Sequence, residues 1–89
     1  MAKIYRANGD VETVEPKNGR DFQLEELQGI VGGHIECLNL SDGRLLVCNE
    51  EGKLKGLDLN ERATDLVRAN GYSDWIVGDV LICNNNEIK

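Results

Sequence analysis

Two short runs, Leu45-Leu46-Val47-Cys48 and Val80-Leu81-Ile82-Cys83, contain no polar residue. Neither alternates, so a strand built from either is apolar on both faces and belongs inside a sheet, not at its rim. The chain has 89 residues, 40% of them hydrophobic. That is enough for one small domain over residues 1–89. With two such strands in so short a chain, everything else must flank the sheet or cover it.

The flanking pieces read locally. Lys3-Ile4-Tyr5-Arg6 and Val11-Glu12-Thr13-Val14 bracket Ala7-Asn8-Gly9-Asp10. Asn-Gly suits the two positive-φ positions of a type I′ hairpin. Pro16 then stops the second strand. Asp21 is placed to cap a helix over residues 22–31, with Leu24, Leu27 and Val31 at helical spacing and Ile30 beside them. Gly32-Gly33 ends it, because a left-handed closing residue is cheapest as glycine. Residues 34–40 alternate as a strand and return through Ser41-Asp42-Gly43 into residues 44–48. Asn60 caps a second helix over residues 61–70, with Ala63, Leu66 and Val67 as its buried stripe. Residues 84–89 read as a frayed polar tail. The order is hairpin, helix, hairpin, helix, strand. It predicts an α+β two-layer sandwich: a mainly antiparallel sheet with two helices on one face.

Charge narrows the partners. The net charge is −6, and no Lys/Arg cluster is long enough to track a phosphate backbone. Direct nucleic-acid binding is disfavoured, since it draws on cationic neutralisation of phosphates. No apolar run approaches the ~20 residues of a membrane span. Cys37, Cys48 and Cys83 are odd in number and form no CxxC, and Met1-Ala2-Lys3 leads straight into a strand. A cytoplasmic protein with reduced thiols is expected.

Between the second hairpin and the second helix lies NEEGKLKGLDLN, residues 49–60. It lacks G-x-x-x-x-G-K-[ST], and G-x-G-x-x-G is absent. As a calcium loop it would place Lys53 at a ligand position. His34, the single histidine, points to the face opposite Cys37, which removes a zinc site and a Cys–His nucleophile pair. No catalytic residue, metal or cofactor is expected. Leu54, Leu57 and Leu59 are expected to alternate towards the core. Lys53 and Lys55 would then project together beside Arg62 at a helix N-terminus, where an anion can be received. Asp79 reads as a turn or bulge residue beside Gly78.

Val31-Gly32-Gly33-His34-Ile35-Glu36, then Asn49 through Leu57 with Asn60 and Ala63 downstream, then Val77 to Val80, resemble the signature of small phage and mobile-element proteins known as a domain of unknown function. The resemblance covers most of the chain after the first hairpin. It implies an accessory protein without an established enzyme activity, of the kind that antagonises bacterial defence. Two functions follow. The first is a non-enzymatic, homo-oligomeric protein that sequesters an anionic nucleotide-like signal. Asn49, Lys53, Lys55, Asn60 and Arg62 supply polar contacts, and Trp75, with Tyr72, stacks on a base. The alternative is an acidic inhibitor of a nucleic-acid-handling defence effector, of anti-CRISPR or DNA-mimic type, presenting Glu12, Glu15, Glu25, Glu26, Glu50 and Glu51.

Overall fold

The computed structural model describes residues 2–88; Met1 and Lys89 lie outside the described residues. The strands are β1 (Ala2–Tyr5), β2 (Val11–Val14), β3 (Ile35–Asn39), β4 (Arg44–Asn49) and β5 (Val80–Asn84); the helices are α1 (Leu24–Val31) and α2 (Glu61–Ala69). The five strands form one antiparallel sheet in the order β2-β1-β5-β4-β3. Both apolar runs therefore occupy interior positions, with β5 at the centre. The last strand joins the two hairpins: Ile4 pairs with Leu81 on one side, and Leu46 pairs with Ile82 on the other.

The α+β class and antiparallel sheet are as the sequence predicts. The placement of the helices is not. Ile4, Val47, Leu81 and Cys83 pack with Leu27 and Val31 of α1. Leu46, Cys48, Val80 and Ile82 pack with Ala63 and Val67 of α2. Successive side chains of a strand leave on opposite faces, so these two sets are the two sides of the sheet. The helices cover opposite faces, giving three layers in place of two. The reason lies in β4 and β5 themselves: strands apolar on both faces need cover on both.

Local differences have local causes. In the β1–β2 turn, the Arg6 amide donates to Asp10 carbonyl at 2.8 Å and the Gly9 amide to Arg6 carbonyl at 3.0 Å. Only Gly9, at φ +99°, is left-handed there. The turn is a three-residue loop closed by a glycine, not the two-residue type I′ form. Helix α1 starts two residues later than its spacing suggests. Phe22 is extended: its amide donates to the Glu87 carbonyl, and it bridges Ile88 in parallel. The Glu26 carboxylate accepts from the amides of Gln23 (3.2 Å) and Lys17 (3.1 Å). Asp21 instead holds the side-chain amides of Asn18 and Gln23, each at 2.9 Å. Leu24 is left 53% exposed. Gly32 ends the helix in the left-handed region, as expected. The tail is fastened where fraying was expected: Asn85–Glu87 form a 3-10 turn, and Ile88 packs on the α1 side of the core. Of that tail, Lys89 lies outside the described residues.

Cover on both faces makes both sides of the sheet sensitive. Leu46 and Leu81 are each fully buried, on opposite faces. Leu46→Ala and Leu81→Ala are each expected to lower the unfolding free energy by about 2–5 kcal/mol in urea denaturation. A loss well under about 1 kcal/mol for either would mean that its face is not covered.

Candidate functional site

The residues singled out in the sequence divide into structural supports and a surface cleft. Asn60 belongs to the first group. Its Oδ1 accepts the Ala63 amide at 3.0 Å, the expected cap. Its Nδ2 donates to the carbonyls of Tyr5 and Gly78, both at 2.8 Å. One buried side chain thus ties the start of α2 to the end of β1 and the approach to β5. Asn49 is also buried. Its Nδ2 donates to Val31 carbonyl at 3.1 Å, and its Oδ1 accepts the Glu51 amide at 2.8 Å. Both asparagines spend their polar atoms on the chain's own backbone, which is the condition for burying them.

The segment before β5 is held just as firmly. The Asn60 amide donates to Ile76 carbonyl at 2.8 Å. Thr64 Oγ1 accepts the Ile76 amide at 2.8 Å. Leu59 and Val77 form an antiparallel bridge, and the Gly78 amide donates to Asp58 carbonyl at 2.7 Å. The turn over residues 50–56 is bonded internally, Lys55 amide to Glu51 carbonyl at 2.9 Å and Leu57 amide to Gly52 carbonyl at 3.1 Å. It presses so closely on residue 77 that a Cβ on Gly52 would stand 2.8 Å from a Val77 methyl. That approach explains the glycine.

Between this turn and residues 74–77 lies a cleft of about 180 Å³. Leu38 and Cys48 form part of its floor, Leu54 and Trp75 its rim, and Glu36, Glu50 and Asp74 are among its polar walls. The Lys53 ammonium pairs with the Asp74 carboxylate and sits 3.8 Å from the centroid of the Trp75 ring. The hydrogen bond from Lys53, followed by that from the Trp75 amide, holds the Asp74 carboxyl below its usual range. Leu54 is 88% exposed and Trp75 49% exposed.

Of the six residues proposed from sequence, Asn49, Lys53 and Trp75 meet at this cleft. Lys55 does not. Its ammonium lies over Gly33, 2.8 Å from where a Cβ would stand, beside the C-terminus of α1, where the helix dipole favours a cation. The turn is not extended, so the two lysines diverge. Arg62 and Asn60 border a separate cleft of about 490 Å³, with Arg6, Glu61 and Asp65. There Arg6 is already committed, to Glu12 at 2.6 Å and Asp79 at 2.9 Å. Asp79 also accepts the Ala7 amide at 2.9 Å and so pins the first hairpin's turn to the start of β5. Tyr72 does not join Trp75; its hydroxyl donates to Asn39 carbonyl at 2.7 Å. Of Leu54, Leu57 and Leu59, all expected to face the core, Leu54 stands in solvent, Leu59 is half-exposed and Leu57 is only partly buried. The signal lay in Gly52-Lys53-Leu54-Lys55-Gly56: one apolar residue at a charged tip between glycines has no depth in which to bury.

The three cysteines are free, and burial pushes the thiols of Cys48 and Cys83 up to about 12. Among the described residues, no three His, Cys, Asp or Glu side chains gather as a metal site requires, and no helix is long and apolar enough to cross a membrane.

An antiparallel sheet covered on both faces, carrying a small half-apolar cleft on its rim, defines a class of compact α+β domain. The chain belongs to the family described as a domain of unknown function, DUF3846, whose model it matches over residues 3–89. No curated protein and no solved structure matches it.

Two measurements probe this geometry. If Asn60 were only a cap, Asn60→Asp would be harmless, since aspartate caps as well as asparagine. Because its Nδ2 serves two carbonyls, Asn60→Asp is expected to destabilise by about 2–4 kcal/mol, comparably to Asn60→Ala. Retained stability in the aspartate variant would contradict the clamp. The second is a pH titration of Trp75 emission. A carboxyl held below its ordinary value of 3.8 keeps its partner above that value and loses it only as pH falls through the lower folded one. Emission is therefore expected to stay constant from about pH 7 to about pH 5 and to change only below 3.8. A transition above that point would break the pairing of Lys53 with Asp74.

Proposed function

We propose that this chain is a non-catalytic binding protein whose target is another protein, docked at the cleft between residues 50–56 and residues 74–77. The observation that carries the reading is Leu54: an aliphatic side chain 88% exposed, at the tip of an internally bonded turn, next to a half-exposed tryptophan. A large apolar side chain kept in water on a firm support is what an interface anchor requires. Loss of side-chain and loop freedom is a main cost of association, and a turn already ordered avoids much of it.

Electrostatics favour a basic target over a nucleotide. The cleft holds Glu36, Glu50 and Asp74 against the single cation Lys53, and that cation is already paired. The cations that would have received a phosphate are dispersed, Lys55 to Gly33 and Arg62 to the other cleft. The net charge of −6 acts in the same direction. In the phage or mobile-element setting that the sequence signature suggests, the target is a basic, nucleic-acid-handling defence effector of the host, blocked by occupancy.

The test is affinity capture from host extract with the wild-type protein and Leu54→Asp, in parallel with calorimetry against cyclic dinucleotides. Because Leu54 is exposed, the substitution is expected to change stability by no more than about 0.5 kcal/mol. The wild type should retain a basic protein at about 0.1 M salt and release it at about 0.5 M, Leu54→Asp should retain none, and the dinucleotides should give no heat. Saturable heat from a dinucleotide, or capture indifferent to Leu54, would contradict the reading.

A further inference from the structure

Strand β3 ends the sheet, and the arrangement of its backbone says what an occupant of that edge must be. The Glu50 amide donates to His34 carbonyl at 2.9 Å, and the Leu40 amide to Arg44 carbonyl at 2.9 Å. The register between them is continuous, with Glu36 opposite Cys48 and Leu38 opposite Leu46. In an antiparallel ladder, bonded pairs recur at every second residue. His34, Glu36, Leu38 and Leu40 therefore turn their amides and carbonyls towards β4, and Ile35, Cys37 and Asn39 turn theirs outward. Tyr72 takes the Asn39 carbonyl. The outward groups of Ile35 and Cys37 have no partner among the described residues.

Such an edge is normally blunted by proline, lysine or a bulge. The opposite edge, β2, runs into Glu15-Pro16. Strand β3 has no proline, lysine or bulge; its one charged residue is Glu36, which faces the cleft, and the residues whose backbone groups turn outward are Ile35, Cys37 and Asn39. It also borders the cleft, to which it contributes Glu36 and Leu38. Glu36 and Glu50 form no ion pair with any described residue, so the cleft has two uncompensated carboxylates next to an open ladder.

We infer that the outer edge of β3 takes up an extended segment of the target protein as a sixth strand, with a basic and an apolar side chain two residues apart. This rests on the protein-docking reading above and specifies its geometry. An added strand bonds to Ile35 and Cys37 through its main chain, and its side chains alternate between the two faces of the sheet. On the cleft face, the residue opposite Glu36 meets a carboxylate, and the one two positions along meets Leu38, with Leu54 and Trp75 beyond. A cation and an aliphatic or aromatic group fit these positions in that spacing.

The probe is a set of acetylated seven-residue threonine peptides bearing one arginine and one isoleucine two positions apart, in both orders, with glutamate replacing arginine as a control. Amide spectra of the full-length protein should show saturable shifts at Ile35, Cys37 and the Trp75 indole. Hydrogen exchange at Ile35 and Cys37 should slow by about tenfold or more. The glutamate control should do neither. Methylation of every second peptide nitrogen should abolish binding in the one register whose N–H groups face β3, while leaving the protein untouched. Cys37→Pro should do so from the other side, since an outward amide of an edge strand tolerates proline. Shifts at Trp75 without protection of Ile35 and Cys37, or undiminished binding of both methylated registers, overturn strand addition and leave cleft docking standing. Absence of any shift across the set overturns both. Concentration-dependent protection of the same amides without peptide would assign the edge to a second copy of the chain and overturn the inference.

Discussion

Both hairpins close on a strand that the chain reaches last. Strand β5 lies between β1 and β4, and pairs residue 4 with residue 81 across almost the whole sequence. Until Val80–Asn84 is in place, β1–β2 and β3–β4 are separate ribbons, each too small to be stable alone. Closing so long a loop is entropically costly and makes the contact order high. The return comes from four apolar side chains buried on both faces, two against the α1 side and two against the α2 side. That one placement also determines where the cleft is. Residues 74–78 lead directly into β5 and are bonded to residues 58–60 on the way, so Trp75 is positioned by the same event that completes the sheet.

Polar side chains secure the junctions that apolar burial cannot specify. Asn60 joins α2, β1 and the entry to β5. Asn49 joins the end of β4 to the end of α1. Asp79 joins β5 to the first hairpin through Arg6 and Ala7. Each fixes a direction as well as a contact; for Asn49 and Asn60 the constraint is strict, because a buried amide left unsatisfied costs more than the bond itself contributes. The turn at 50–56 inherits this order from both ends, and close packing of Gly52 on Val77 removes its remaining freedom. Exposure of Leu54 follows from an ordered backbone that aims it outward.

Features set by neighbouring residues were readable from the sequence. The two hairpins, the two helices, the glycine after Val31 and the asparagine before Glu61 all depend on contacts within one turn or one loop. What failed depended on partners far along the chain. The runs at 45–48 and 80–83 do announce cover on both faces, yet nothing in either helix states which face it will take. Phe22 reads as helical until Glu87 and Ile88 arrive to pair with it. In the cleft, Asn49, Lys53 and Trp75 were recognised by residue type. Leu54 and Lys55 are not legible because an irregular turn has no period from which a side-chain direction can be taken, and Arg62, on α2, is separated from Lys53 because that turn folds back where an extended segment was expected. Glu36, Leu38 and Asp74 were missed because they reach the cleft from other elements.

In this small, acidic, three-layer domain the turn that holds Leu54 in solvent lies beside the open edge of β3, and the proposed docking depends on order in that turn. Nitrogen-15 relaxation of the free protein measures that order directly. Order parameters of about 0.85 are expected for residues 52–57 and 74–77, equal to those of β4 and β5. Values below about 0.6 in either segment would show a mobile loop with an incidentally exposed leucine, and would contradict the proposed docking.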